Sequence, residues 1–221
     1  MNRRQHGFGI LEALLALALG VMLLAAAAQA TVATQQTWRL QGAASRLQDD
    51  ARLALHRLTQ DIRMTGSFGC LALEAIEFPN PATAQAFATP LRIERMADGR
   101  VSRLSLIVAD LAGNAGNAEW TLLTDCLAQA RLIEGSAQGS GATLALPLRQ
   151  HTYRVQDGSL MLSGGGRNAR LIDHVRGLWV THVPGEEGGR LDVRLELFEP
   201  LQALEHRHEL SVALRNRLPG S

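Results

Sequence analysis

The chain reads as an α+β protein: one long N-terminal helix followed by antiparallel strands. Three observations predict this. From Phe8 to Ala28 there are 21 residues with one ionisable group, Glu12, and from Gln29 to Met64 there is no proline and a single glycine, Gly42. From Leu91 onward the apolar period changes to two, the spacing of a half-buried strand. Asp98-Gly99 and Asp157-Gly158 each separate two alternating segments, the sequence signature of a tight hairpin.

Twenty-odd apolar residues are enough to cross a bilayer as a helix. Arg3 and Arg4 precede the stretch, so the short N-terminus is expected on the cytoplasmic side. A carboxylate at Glu12, inside such a span, costs about 2.5–3.5 kcal/mol on the insertion scale. No residue near it in sequence offsets that cost, so Glu12 points to a partner from elsewhere. Two plainer readings exist. A secretory signal peptide would have a shorter apolar core and a small-x-small site, which Ala25 to Ala30 could supply. A signal anchor with an incidental glutamate is the other.

Beyond the apolar span, Leu40, Ala44, Leu47, Ala51, Ala54 or Leu55, Leu58 and Ile62 recur at three- and four-residue steps, one apolar stripe of an amphipathic helix. Arg39, Arg46, Asp49, Asp50, Arg57, Asp61 and Arg63 are assigned to its other faces. Anchor and stripe together predict one helix of about 55 residues, about 80 Å long at 1.5 Å per residue. Gly66 and Gly69 are expected to end it.

The segment Phe78 to Pro90, with Pro79, Pro81 and Pro90, predicts an irregular connector. Leu91 to Met96 and Val101 to Val108 predict strands. Leu111 to Gly116 reads as a loop. Trp120 to Ile133, which carries Cys126, fits either strand or a short helix. Thr143 to Leu148 predicts a short strand, and Tyr153 to Gln156 with Ser159 to Leu162 a hairpin. Gly164 to Gly166 reads as a turn, Leu171 to Val183 as β-forming, and Gly185 to Gly189 as another turn. Leu191 to Leu197 alternates strictly, and Glu209 to Asn216 is the expected last strand.

About 190 residues follow the apolar span, enough for one domain with a sizeable core. The formal net charge of +1 supplies no field for nucleic acid, and none is expected as a partner. All 22 basic residues are arginine, which fits codon bias in a GC-rich genome rather than chemistry. Aromatic residues make up 4%, too few for base- or glycan-stacking surfaces. The two cysteines, Cys70 and Cys126, fall outside the cytoplasm in this topology, where an even count favours pairing. Closing their loop is worth about 4 kcal/mol in the chain-entropy model. The alternative is two buried thiols; two isolated cysteines make no metal cluster.

Few constellations suggest chemistry. His206 and His208 would face one side of a strand and, with Glu205 or Glu209, could hold a metal; exposed histidines beside a strand are the plainer reading. Glu186, Glu187 and Asp192 among glycines could bind calcium, without the spacing of an EF-hand. Gly164-Gly165-Gly166-Arg167 lacks the ending of a phosphate loop. No catalytic motif is present, so no catalytic site, metal or cofactor is expected. Trp38, Trp120 and Trp179 are expected in the core or at an interface.

Arg3-Arg4, Gly7, Phe8 and Glu12 together resemble the type III signal of type IV pilins and pseudopilins. The resemblance implies that a prepilin peptidase cuts between Gly7 and Phe8, that Phe8 is then N-methylated, and that Glu12 pairs with the N-terminal amine of a neighbouring subunit during assembly. Gly9 and Leu11 depart from the common pattern but touch neither the cleavage glycine nor the glutamate. Small residues at Gly9, Ala13, Ala16 and Gly20 would permit close helix approach.

The wider resemblance is to PilW-type minor pilins. It rests on the N-terminal signal, on Leu58 to Cys70 with Asp61-Ile62-Arg63 and Gly69-Cys70, and on the C-terminal Val212-Ala-Leu-Arg-Asn-Arg-Leu-Pro219. It implies a type IV pilin-like fold with a leader (1–7), a transmembrane half of the helix (8–28), an amphipathic half (29–66) and a periplasmic β-rich head (67–221). The implied protein sits in the inner membrane as a single-pass subunit and then in the fibre. Its implied partners are other minor pilins, the major pilin, the prepilin peptidase and the assembly platform. The same signal serves type II secretion pseudopilins and competence pili.

Overall fold

The computed structural model describes residues 9–110, 118–185 and 189–216. The predicted long helix is present as α1, Ile10–Met64, 55 residues without a break. Its two stretches belong to different compact units, divided between Arg46 and Leu47. In the first unit every large apolar side chain from Ile10 to Leu24 is more than half exposed. Thr31, Thr34 and Thr37 return their hydroxyls to the carbonyls four residues back, at 2.9, 2.8 and 3.0 Å, so the helix satisfies its own polar side chains there. Trp38, expected in a core or interface, is 73% exposed.

The second unit begins where the stripe becomes buried. Leu47, Ala51, Ala54, Leu55, Leu58 and Ile62 pack inward, whereas Leu40, counted in the predicted stripe, is exposed. Asp61 corrects the sequence reading: it is buried in the stripe, not on a polar face. The helix ends at Met64, with Gly66 just beyond at φ +74°. Its end is fastened to a strand, because Thr65 bridges Val108 and the Gly66 amide donates to the Ile107 carbonyl at 3.3 Å.

The strands are β1 (Ile76–Glu77), β2 (Leu91–Arg95), β3 (Val101–Ala109), β4 (Trp120–Thr124), β5 (Ala130–Glu134), β6 (Leu144–Gln156), β7 (Ser159–Gly164), β8 (Arg167–Ile172), β9 (Val175–Val183), β10 (Arg190–Glu199) and β11 (Leu204–Ala213). The larger sheet has the order β1-β5-β4-β6-β3-β2, with β7 and then β8 branching from β6. Its pairings are antiparallel apart from β1 with β5. The long β6 is the hub: β3 lies along one edge, and β4 and β7 share the opposite ends of the other. The second sheet is β9-β10-β11.

Two apolar clusters hold this unit together. The larger joins the buried stripe of α1 to Leu104, Leu106 and Tyr153 of the large sheet and to Leu178, Val193 and Leu195 of the small one. The smaller gathers Phe68, Ile76, Phe87, Ile107, Leu122 and Leu148. Phe87 is its centre, with ring centroids of Phe68, Phe78 and Trp120 at 4.8, 5.6 and 5.3 Å.

Several segments differ from the sequence reading. The Pro-rich connector contains a helix, α2 (Pro81–Ala88). Asn80 caps it by accepting the Thr83 amide at 2.8 Å, and Pro81 occupies the first turn, where proline is tolerated. Trp120 to Ile133 resolves into β4 and most of β5. The short strand and the first hairpin arm are one strand, β6. The last strand runs Leu204–Ala213, earlier than Glu209 to Asn216. The Leu111 to Gly116 loop lies outside the described residues.

Candidate functional site

Gly7 and Phe8 lie outside the described residues. Glu12 stands in the first turn of α1, its amide donating to the Gly9 carbonyl at 3.0 Å. A Cβ added at Gly9 or Gly20 would meet nothing within 4 Å, so both are open positions on the helix. The span is long and apolar enough to cross a membrane, and none of its most apolar stretch is buried in the chain.

Cys70 and Cys126 are disulfide-bonded, with Cα atoms 5.3 Å apart. The bridge ties the segment after α1 to the β4–β5 turn. That turn is built around Asp125, whose Oδ1 accepts the amides of Leu127, Ala128 and Gln129 at 2.9, 3.0 and 2.9 Å. These bonds hold the Asp125 carboxyl below the usual carboxylate range. Gly69, at φ +87°, lets the chain pass 3.1 Å from the Leu122 and Leu146 methyls (measured to an added Cβ) just before the bridge.

One constellation was not foreseen. Asp61 Oδ2 accepts from His151 Nδ1 at 2.7 Å and from the Tyr153 hydroxyl at 2.5 Å. Arg57 Nε faces Asp61 Oδ1 at 3.4 Å. Tyr153 is fully buried, and burial, followed by the Asp61 charge, pushes its phenol far above the ordinary value. For Arg57 burial works against the charge, but Asp61 and Tyr153 outweigh it and its pKa rises. Gly164 makes room for the His151 ring, since a Cβ there would lie 2.5 Å from His151 Cδ2. The signal was present in the sequence: 47, 51, 54, 58, 61 and 65 alternate steps of four and three, which places Asp61 in the stripe. A buried carboxylate joined to two partners on β6 locks α1 onto the sheet.

The candidate metal ligands do not come together. His206 and His208 share the inner face of β11 with their rings stacked at 6.1 Å, but Glu205 pairs with Arg176 and Glu209 with Arg207 on the other face. Among the described residues no group of three or more His, Cys, Asp or Glu could hold a metal. Glu186 and Glu187 lie outside the described residues. Asp192 accepts from Ser211 at 2.6 Å and from Arg190 at 3.0 Å. Trp120 belongs to the aromatic cluster, and Trp179 carries Arg194 over its ring at 4.0 Å.

Residues 2–28 match the prokaryotic N-terminal methylation motif. Comparison with curated proteins and with solved structures gives no match. The motif at the N-terminus, followed by a long apolar helix and an antiparallel-rich domain, supports a type IV pilin-like or pseudopilin-like protein.

Proposed function

We propose that the chain is a minor pilin of the PilW type that primes type IV pilus assembly and is incorporated near the fibre tip. The carrying observation is Glu12, the one acidic residue of the exposed apolar stretch that opens α1, inside a matched methylation motif. In this reading the peptidase cuts after Gly7, Phe8 is methylated, and Glu12 pairs with the N-terminal amine of an adjacent subunit. A paired carboxylate in lipid costs far less than a lone one. The disulfide-bonded head faces the periplasm, where such a bond persists. The protein acts by binding rather than by catalysis. The second reading is a type II secretion pseudopilin, since the same motif marks both.

The test is a clean deletion, complemented with wild type or Glu12→Ala, and scored for surface pili and exoenzyme secretion. Loss of pili with normal secretion, restored by wild type but not by Glu12→Ala, is the expected outcome. Loss of secretion alone moves the protein to a pseudopilus. Both processes intact revives a membrane-anchored binding protein or enzyme.

A further inference from the structure

Two sequence features that the resemblance singled out, Asp61-Ile62-Arg63 and Arg215-Asn216, are far apart in the chain and meet in the fold. The Asn216 side chain donates to the Thr65 carbonyl at 2.9 Å, which fixes the end of the described chain beside the end of α1. Arg57, Asp61, Arg63, Asp110, His151 and Arg215 line one cleft of about 340 Å³ there. Its two carboxylates are already answered. Asp61 is held by His151, Tyr153 and Arg57, and Asp110 pairs with Arg149 at 3.0 Å. Arg63 and Arg215 have no hydrogen bond or ion pair with any described residue.

Two unanswered guanidiniums above a neutralised floor select an anion. Met64, Val108 and Ala109 add an apolar wall suited to a methylene stem. A guanidinium fork matches a carboxylate in plane and spacing. We propose that this cleft receives a glutamate or aspartate side chain presented by a neighbouring subunit. The identity of the occupant rests on the assembly reading above; the carboxylate chemistry does not. Arg63 also complements the C-terminal end of the α1 dipole. Arg215 has no such second role and is the discriminating residue.

The probes are N-acetyl-glutamate amide and inorganic phosphate. Each is titrated into the full-length protein in detergent micelles while the arginine Nε–H resonances are followed. Saturable shifts at Arg63 and Arg215 with the glutamate probe are expected, weakened about tenfold in Arg215→Gln, the worth of one charge-assisted bond. An unchanged melting temperature shows that the variant is folded. No saturation, tighter binding of phosphate, or unaltered affinity in Arg215→Gln overturns the site. In cells, Arg215→Glu should reduce piliation while leader cleavage and protein level stay normal. Normal piliation in that strain, alongside probe binding in vitro, overturns the neighbouring subunit as the source. If the deletion itself leaves pili intact, the assembly reading fails, and with it the subunit as occupant; the titration then tests the carboxylate site alone.

Discussion

Two carboxylates on one helix, Glu12 and Asp61, meet the same physical demand in different ways. Each stands in an apolar setting where a lone charge is costly. Asp61 finds its partners within the chain, on β6 and one turn back along α1. Glu12 has none among the described residues, and the apolar side chains around it are exposed. The difference teaches where each stretch of α1 completes its structure. The stripe from Leu47 onward is covered by the protein's own sheets, whereas the large apolar side chains from Ile10 to Leu24 stay exposed.

The sharpest way to break that contrast is to remove each carboxylate. Asp61→Ala should destabilise the head domain by about 3–5 kcal/mol, because His151 and Tyr153 are left buried and unpaired. Glu12→Ala should leave head stability unchanged. Urea unfolding of the full-length protein in micelles, followed by near-ultraviolet signals of the head, measures both. Equal effects would show that the two carboxylates are not distinct in kind.

A smaller effect separates the apolar side chains of the same two stretches. Leu58 is almost fully buried and Leu17 is 67% exposed. Leu58→Ala should cost about 3 kcal/mol through lost burial and a residual cavity, and Leu17→Ala should cost the head nothing. The same unfolding curves decide it, and a measurable loss in Leu17→Ala would place the first stretch inside the folding unit.

Next comes the bridge. Cys126→Ser should lower stability by about 2–3 kcal/mol. That is below the chain-entropy figure, because the unbridged unfolded chain retains structure and loses less entropy than the model assumes. If both thiols of the native protein react with an alkylating reagent, the bridge is absent.

Much of this was legible because it is periodic. The long helix, the two Asp-Gly hairpins and the strict alternation of Leu191 to Leu197 follow from local spacing, and the structure has them. The helix α2 was hidden because three prolines in the segment read as breakers, while Asn80-Pro81, which is a helix start, sat among them. The Asp61 centre was hidden for another reason. Its spacing marks the buried stripe while its charge marks a solvent face, and the partners that settle the conflict lie some ninety residues away on β6. That Arg63 and Arg215 line one cleft depends on tertiary contact alone. The chemistry at Gly7 and Phe8 rests on sequence resemblance, since those residues lie outside the described ones.

His208 adds a third case, a half-buried imidazole whose Nε2 has no hydrogen-bond partner among the described residues. It sits on the inner face of β11 opposite Leu195, and its Nε2 is buried without a hydrogen bond. Burial first, and then the charge of His206, depress its pKa below the ordinary value of 6.5. With a depressed folded pKa, the unfolded chain binds the proton first as pH falls. Stability is therefore unaffected above the ordinary value, declines as pH drops from about 6.5 toward the folded value, and levels off below it. His208→Leu removes this component, so its melting temperature should fall less than that of the wild type across that window. His206→Leu, which removes only the neighbouring charge, should lie between them. Parallel curves for all three would mean that His208 gains a partner in solution. In that event it behaves like Asp61, and the inner face of β11 is closed by something the described residues do not supply.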